Sequence, residues 1–214
     1  MDVVLDNLDL FLAATRTTVS LTLLSFAAAF VIGAVVASFR VSPVPPLRAV
    51  GAFYVGTVRN TPLAVLMIGF LFGGGDVGVQ YSVFTTAVIV LSAYTGSFVA
   101  ETIRSGVNTV ARGQAEAARA LGLTFPQVLR IVVLPQALRT VVAPLGSIFI
   151  ALIKNSALAA LISVQELGDT TEQLITETAQ PIPVFLGAAV AYLLLTIPSG
   201  FAVGRLERRV AIKR

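Results

Sequence analysis

Long apolar segments constrain the fold of this chain more than any other feature. Five segments contain almost no charged residues, and each approaches or exceeds the roughly 20 residues that an α-helix needs to cross the hydrocarbon core of a bilayer. They cover residues 17–39, 49–75, 77–100, 140–165 and 181–204. Backbone polar groups in lipid must be satisfied within the segment, so each should be helical. We therefore predict an all-α integral membrane protein with five transmembrane helices, forming a single domain over residues 1–214.

The composition agrees with a membrane protein and excludes several kinds of chemistry. Charged residues make up 12% of the chain, about half their share in soluble domains. The absence of Cys and His excludes disulfides, thiol nucleophiles, histidine metal sites and imidazole catalysis. No segment matches the glycine-rich G-x-x-x-x-G-K-[ST] loop that binds nucleotide phosphates. We expect a non-catalytic chain with no metal site and no cofactor of its own.

The positions of the charges predict the orientation, because Lys and Arg accumulate in cytoplasmic loops. Twelve of the 15 basic residues fall on one side of a five-span arrangement, in segments 40–48, 101–139 and 205–214. We expect no Lys or Arg on the opposite side, so the amino terminus is predicted outside and the carboxyl terminus inside. The net charge of +4 then reflects topology rather than nucleic-acid binding. The acidic residues assigned to the outer side are Asp2, Asp6, Asp9, Asp76, Glu166, Asp169, Glu172 and Glu177.

A polar segment between the third and fourth spans, residues 113–135, predicts two short helices joined at a glycine. Gly122 suits a left-handed helix stop, a conformation that side chains disfavour. Thr124 and Gln127 have the spacing of a capping box for the second helix. Pro135 should then interrupt that helix. A plain amphipathic helix pair at the membrane surface is the alternative interpretation.

The residues of this segment resemble the EAA loop of bacterial ABC-importer permeases. The match consists of Glu116-Ala117-Ala118, a glycine at 122 and the ending Val-x-Leu-Pro, with Val132 where the family usually has isoleucine. In that family the loop docks in a groove of the cytoplasmic ATPase and couples ATP hydrolysis to membrane movement. The resemblance implies a coupling loop over residues 106–139. Its coupling residues would be Gly113, Glu116, Ala117, Ala118, Gly122, Leu134 and Pro135.

Two cations lie inside predicted spans, Arg59 in the second and Lys154 in the fourth. Each is roughly 15–20 Å into its span at 1.5 Å per residue. A cation at this depth is costly unless it is paired or faces a wet cavity, and no acidic residue lies within a span core. A partner subunit or a passing anionic solute could supply the counter-charge. Alternatively, the side chains snorkel to the surface or donate hydrogen bonds to unwound backbone carbonyls.

The sequences around these cations are similar to elements of the polar amino acid permeases, a subgroup of the importer family. Residues 59–63 match Arg-Gly-Thr-Pro-Leu except at Asn60, and residues 154–158 match Lys-(Asp/Asn)-(Thr/Ser)-Ser-Leu except at Ala157. Within the subgroup, the chain is most similar to glutamate permeases of actinobacterial type. We expect a substrate pathway that includes Arg59, Asn60, Thr61, Lys154, Asn155 and Ser156.

The resemblance implies a permease subunit of an ATP-driven importer in the bacterial cell membrane, with glutamate favoured over glutamine, aspartate or another polar amino acid. Its implied partners are an ATPase dimer that binds ATP and Mg, a second permease, an extracytoplasmic solute-binding protein and membrane lipid. The acidic segment 166–177 is a candidate surface for the binding protein or a solvated helix face. Glu101 and Arg104 are expected to form an ordinary i, i+3 pair, with a gate or an ATPase contact as the alternatives. The competing function is a small pore or an ion-coupled carrier.

Overall fold

The computed structural model describes residues 2–76, 78 and 81–210, and this part of the chain contains helices and no strands. A π-helical turn at Val128–Val133 and a 3-10 segment at Ser156–Ile162 join the α-helices on either side of them. The α-helices are α1 (Asp2–Asp6), α2 (Leu8–Val41), α3 (Pro45–Asn60), α4 (Leu63–Asp76), α5 (Val83–Asn108), α6 (Arg112–Ala120), α7 (Phe125–Gln127), α8 (Leu134–Asn155), α9 (Leu167–Thr178) and α10 (Pro181–Val210).

Four helical runs in the described residues are long and apolar enough to cross a membrane: α2, α5, the run Phe125–Ile162, and α10. The predicted span 49–75 is instead broken into α3 and α4, which meet at an angle of 104°. Pro62 explains the break, because proline lacks an N–H donor and disfavours a helical residue before it. Thr61 accordingly has an extended backbone, with φ −97° and ψ 130°.

The other predicted spans exist as helices, but their boundaries differ. α2 extends past both ends of 17–39, and α5 begins at Val83 and continues to Asn108, beyond the predicted end at residue 100. The fourth predicted span ended at residue 165, whereas the helical run stops at Ile162. A helix of 30 residues is about 45 Å long and exceeds the hydrocarbon core of about 30 Å, so hydropathy alone does not define its ends.

α2 and α5 are packed in parallel through a row of small residues. Buried small side chains recur on α2 at every fourth position, Ser25, Ala29, Gly33 and Ala37. Gly33 lies so close to Val99 of α5 that a Cβ there would overlap with that side chain, and Gly96 packs against Ile32. Small residues at such spacing let two membrane helices approach closely.

The parallel packing determines how α3 and α4 are used. The residue numbers of contacting pairs increase together along α2 and α5, from Ile32 beside Gly96 to Arg40 beside Glu101. Because α2 and α5 run in the same direction, the chain must return from the end of α2 to the side where α5 begins. α3 and α4 provide that return, and the bent pair can be counted as one broken span beside the four long helical runs.

α8 is antiparallel to this set, and α10 is parallel to α2. Gly146 of α8 packs against Val203 of α10, whereas Ile150 lies near Gly200, so the numbers run in opposite directions. Phe26 and Phe149 join α2 to α8 with ring centroids 5.0 Å apart. The helices α2, α5 and α10 therefore share one direction and α8 opposes them.

This arrangement separates most of the charges to two ends of the bundle. We call the end where α2, α5 and α10 finish the basic end; it carries Arg40, Arg104, Arg205, Arg208 and Arg209. We call the opposite end, where α2 and α10 begin and α9 lies, the acidic end; it carries Asp6, Asp9, Asp169, Glu172 and Glu177. Arg16, near the start of α2, is an exception to the predicted absence of basic residues there.

Candidate functional site

The predicted elbow is present at the basic end, between α6 and α7. Gly122 has φ +87°, the left-handed conformation predicted for it. The amide of Gly122 donates to the Arg119 carbonyl at 2.9 Å, and that of Leu123 donates to the Ala118 carbonyl at 3.2 Å, which closes the end of α6. The Gln127 side chain accepts a 2.8 Å hydrogen bond from the Thr124 amide, as the capping-box prediction requires.

Pro135 does not interrupt the second arm, contrary to the sequence prediction. The helical run continues from Phe125 through Pro135 to Ile162. The π-helical turn before Leu134-Pro135 makes this possible, since the Leu134 amide donates to the Leu129 carbonyl five residues earlier. The side-chain amide of Gln136 also donates to the Val132 carbonyl, at 3.0 Å. The arm and the fourth span therefore form one helical rod despite Pro135.

The end of the elbow exposes two large apolar side chains that were not among the predicted coupling residues. Leu121 is 85% exposed and Phe125 is 68% exposed, on either side of Gly122. Of the predicted coupling residues on α6, Gly113, Glu116 and Ala117 are exposed, whereas Ala118 is buried. Leu134 and Pro135 lie at the base of the arm, where Leu134 is exposed and Pro135 half-buried. Apolar residues flanking the helix-ending glycine were the available sequence signal for the exposed pair.

A polar cleft lies between α2, α3 and α5, beside the break in the second span. It has a volume of about 420 Å³ and contains two of the predicted pathway residues, Arg59 and Asn60. Arg40 and Phe98 also line it and were not among the predicted pathway residues. The full lining is Arg40, Ala52, Val55, Gly56, Arg59, Asn60, Phe98 and Glu101.

An ion network forms one wall of the cleft. The Arg40 Nη1 atom lies 2.9 Å from Glu101 Oε2, and Arg104 donates to the same carboxylate through Nε at 3.2 Å and also through Nη2. The predicted Glu101–Arg104 pair is therefore confirmed, with Arg40 as a third member. Glu101 also lines the same cleft as Arg59, so Arg59 is less isolated from acids than the sequence indicated.

Arg59 itself is held by an aromatic ring. Its guanidinium carbon lies 4.7 Å from the centroid of the Phe98 ring, within the range of a cation–π interaction. Arg59 is exposed and forms no ion pair within the described residues. The cleft therefore presents a guanidinium that is oriented by an aromatic face.

The polar residues at the break mainly bond to the end of α3. Asn60 Nδ2 donates to the Gly56 carbonyl at 2.7 Å, and Thr61 Oγ1 donates to the Thr57 carbonyl at 2.9 Å. Asn60 also lines the cleft, whereas Thr61 is not part of its lining. Thr61 therefore supports the local backbone in this conformation.

The second group of predicted pathway residues lies elsewhere. Lys154 is exposed near the end of α8, Asn155 is half-buried, and Ser156 is buried with its Oγ donating to the Ile153 carbonyl at 2.7 Å. Phe149 contacts Phe26, and α8 runs antiparallel to α2, so Lys154 lies at about the height of residue 21 along the α2 axis. Phe98 lies at about the height of residue 32, because Gly96 packs against Ile32. This corresponds to roughly 15 Å between the levels of Lys154 and the Arg59 guanidinium at 1.5 Å per residue. The structure does not bring the two cations into one cleft.

Glu166, assigned from the sequence to the outer surface, is instead completely buried at the acidic end, with 0% exposure. Its Oε1 accepts hydrogen bonds from the amides of Gly168 and Asp169 at the start of α9. Its Oε2 accepts from Tyr192 at 2.9 Å and from Thr18 at 3.3 Å. Burial raises the pKa of this carboxyl above its usual range, against the lowering effect of the four hydrogen bonds. The remaining acids of 166–177 stay on α9, so this segment is the predicted amphipathic helix with one buried acid at its start.

Comparisons with known proteins place this chain in a family. Residues 29–212 match the model of the binding-protein-dependent transport system inner membrane component. The chain is 39% identical to the glutamate transport system permease protein GluC of Corynebacterium glutamicum, with 95% of each chain covered. It is 33% identical to the probable glutamine ABC transporter permease protein GlnM of Bacillus subtilis, over 98% of this chain and 97% of that protein.

A solved structure shows the same fold. The crystal structure of an amino acid ABC transporter with histidines includes a chain that matches with a TM-score of 0.90 at 29% identity, covering 96% of both chains. The protein therefore belongs to the family of binding-protein-dependent transport system inner membrane components, as an amino-acid permease of the ABC-importer class that crosses the cell membrane several times.

Proposed function

We propose that this chain is a permease subunit of an ATP-driven importer whose substrate is glutamate. The observation that carries the choice of an anionic substrate is the cleft, where two guanidinium groups face one carboxylate and Arg59 has no ion pair within the described residues. Two relatives named as glutamate transport permeases are 38% and 39% identical to the chain. A carboxylate bound at Arg59 would be stabilised strongly in a site of low dielectric constant.

Glutamine is the second candidate, favoured by the probable glutamine permeases among the relatives. The two substrates have nearly the same shape and the same α-carboxylate, and they differ by the negative charge of the side chain, so uptake of both must be measured in Arg59→Gln. If the substrate is glutamate, the variant should raise the KM for glutamate uptake tenfold or more while its membrane level stays unchanged. Competition between labelled glutamate and unlabelled glutamine in the parent transporter tests independently which of the two is the preferred substrate. Uptake of glutamine in preference to glutamate, unaffected by Arg59→Gln, would overturn the glutamate proposal.

Lys154→Gln tests the second predicted pathway group by the same assay. Lys154 lies nearer the acidic end than the cleft does, so it would act on the solute before or after Arg59 rather than together with it. We expect a smaller rise in KM than for Arg59→Gln. Unchanged uptake affinity and rate in both single variants would remove the anion-binding role from the pathway.

We further propose that the basic end faces the cytoplasm and the acidic end faces outward. The separation of Arg and acidic residues supports this orientation, because positive charge is retained on the cytoplasmic side. The chain contains no cysteine, so single introduced cysteines report on exposure without a background. In intact cells, a membrane-impermeant maleimide should label Thr176→Cys on α9 and not Gln114→Cys on α6. The reverse pattern would contradict the orientation.

In this orientation, the elbow is the coupling element to the ATPase. Leu121 and Phe125 are exposed at its tip, and such apolar side chains suit a groove on a partner protein. The continuous rod from Phe125 to Ile162 would transmit a movement of the tip into the fourth span. ATP binding would thus move the elbow, and the spans would alternate between outward-open and inward-open arrangements. ATP and Mg would be bound by the ATPase and not by this chain.

Two variants test the coupling role. Glu116→Lys reverses an exposed charge on α6, and Leu121→Asp places a charge at the apolar tip; each should abolish ATP-driven uptake while the permease remains assembled in the membrane. Glu207→Lys, an equally exposed charge reversal on α10, is the matched control and should retain uptake. Normal uptake by Glu116→Lys and Leu121→Asp would contradict the coupling role.

The proposed complex contains this chain, a second permease, two ATPase copies and an extracytoplasmic solute-binding protein. A cleft lined by charged groups is costly to expose to lipid, which supports a partner or an aqueous path on its open side. Isolation of the complex in a mild detergent, followed by mass spectrometry, tests its composition. An ATPase and a second permease should accompany the chain. An oligomer of this chain alone, active without ATP, would contradict the importer and favour the carrier.

A further inference from the structure

The cleft contains three charged side chains whose bonding differs. Glu101 is 27% exposed at its side chain and is bonded by both Arg40 and Arg104. These pairs occupy the carboxylate and hold the Arg40 guanidinium at the wall of the cleft. Arg59 has no acidic partner of this kind within the described residues. It is therefore the guanidinium that a solute carboxylate would meet with its donors unused.

Phe98 determines how that guanidinium is presented. A guanidinium above an aromatic ring contacts the ring through its flat face, while its N–H donors project from the edge. The five donors of arginine form a fork that matches a carboxylate in bidentate geometry. With its guanidinium carbon 4.7 Å from the ring centroid, Arg59 keeps these edge donors available for a ligand.

The ring is itself held in place by neighbouring contacts. The Tyr94 ring lies one turn earlier on α5, with its centroid 5.1 Å from that of Phe98. The Tyr54 hydroxyl donates to the Ala93 carbonyl at 2.5 Å, which fixes α3 against α5 near the cleft. The helix that carries Arg59 and the helix that carries Phe98 are thus joined by a hydrogen bond close to the cation–π contact.

We propose that Phe98 is a specificity-determining positioning residue: its ring orients the Arg59 guanidinium so that the edge donors bind the side-chain carboxylate of an anionic amino acid. This inference rests on the proposed function of the cleft. Glu101 forms its ion pairs with Arg40 and Arg104 and none with Arg59, so it leaves the donors of Arg59 unoccupied. A neutral side chain in the substrate gains less from this arrangement than a carboxylate does.

The first test compares variants at Phe98 in the complete transporter, expressed in cells and assayed by uptake of radiolabelled glutamate. Phe98→Leu keeps an apolar side chain and removes the aromatic face, so the KM should rise about tenfold with little change in maximal rate. Phe98→Tyr retains the ring and should remain within about twofold of the parent. Phe149→Leu removes an aromatic side chain whose partner is Phe26, away from the cleft, and serves as the matched control.

A graded substitution distinguishes a cation–π role from simple packing. Fluorinated phenylalanines at position 98 weaken the negative face of the ring while nearly preserving its shape. The logarithm of KM should therefore rise with each added fluorine, and the parent fold should be retained throughout. The Arg59→Gln, Phe98→Leu double variant should have the same KM as Arg59→Gln alone, because the ring acts through Arg59.

The outcomes separate this inference from the proposed function. A flat fluorination series and an unchanged KM in Phe98→Leu, together with a raised KM in Arg59→Gln, would overturn the role of Phe98 and leave the Arg59 site standing. An unchanged KM in Arg59→Gln would overturn both. Absence of ATP-driven uptake in the parent complex would refute the importer itself.

Discussion

Two carboxylates, Glu101 at the basic end and Glu166 at the acidic end, are stabilised in different ways. Glu101 is partly exposed and bonded to two guanidinium groups, from Arg40 and Arg104. Glu166 is completely buried and accepts four hydrogen bonds from neutral donors, two amides and two hydroxyls. Ion pairs between long side chains can exchange partners when helices move. Bonds to two backbone amides and to hydroxyls on two packed helices require a fixed arrangement.

The difference suits the positions of the two residues. Glu166 joins α2 through Thr18, α9 through its first amides and α10 through Tyr192, so one carboxylate connects three elements. Thr18 also accepts a 3.2 Å hydrogen bond from the Leu167 amide, which strengthens the same junction. The acidic end is therefore fastened as a unit. The basic end carries the polar cleft and the exposed elbow, where the proposed mechanism needs movement.

The largest expected effect comes from removing the buried carboxylate. Glu166→Leu leaves four buried donors without an acceptor, and each such loss costs about 1–3 kcal/mol. We expect a loss of roughly 3–5 kcal/mol in the free energy of unfolding, since some donors will find water. Thermal unfolding of the purified chain in detergent measures it. Glu172→Leu, on the exposed face of the same helix, should change stability little; equal effects of the two substitutions would refute the junction.

A pH dependence should be the next largest effect. Because the pKa of Glu166 is raised, the folded protein binds this proton more tightly than the unfolded chain does. The stability contributed by Glu166 is then greatest at pH values below the usual carboxyl pKa. It falls as the pH rises through the raised pKa of the folded state, by at most about 1.4 kcal/mol per pH unit. The pKa of Asp169 is also raised, by burial and by the charge of Glu172, so Asp169 contributes to the pH dependence in the same direction.

Glu166→Gln isolates the contribution of Glu166, because an amide does not titrate. The difference in unfolding temperature between parent and variant should be largest in favour of the parent at low pH and should shrink as the pH rises. A difference that stays constant between about pH 4 and pH 8, a range that covers normal and raised carboxyl pKa values, would show that the burial of Glu166 has no such consequence.

The smallest effect is expected for the ion network at the basic end. A double-mutant cycle with Arg40→Gln and Glu101→Gln should give a coupling free energy of about 1 kcal/mol, because partly exposed ion pairs contribute little. Added salt should reduce the coupling, whereas the effect of Glu166→Leu should be insensitive to salt. If salt reduced the effect of Glu166→Leu but left the Arg40–Glu101 coupling free energy unchanged, the difference between the two carboxylates would be contradicted.

Sequence reasoning succeeded where local chemistry decides the structure. Gly122 stops a helix in the left-handed conformation, and Thr124 with Gln127 caps the next one, because these outcomes depend on a few neighbouring residues. It failed at Pro135, where the helical run continues through a π-helical turn. No such turn precedes Pro62, and there the chain bends by 104°.

Glu166 shows why an acidic loop could not be interpreted from its composition. Three acids on α9, Asp169, Glu172 and Glu177, are compatible with a solvated helix, and the sequence gives no sign that Glu166 just before them is buried. Its burial depends on Thr18 and Tyr192, which lie 148 and 26 residues away in the chain. The ring of Phe98 beneath Arg59 was likewise unpredictable, since the residues come from separate helices.

The sequence by itself determined that the chain is a helical membrane protein, where its spans lie approximately, and that a helix–glycine–helix elbow precedes the fourth span. Apolar run length, local capping and charge distribution are short-range properties, so they can be identified from sequence. Only the tertiary structure decided that α3 and α4 form one broken return, that Arg59 rests on Phe98 beside the Glu101 network, and that Glu166 fastens three elements. Each of these depends on how helices distant in sequence pack together, and that packing is set by the complementary fit of small and large side chains across their interfaces.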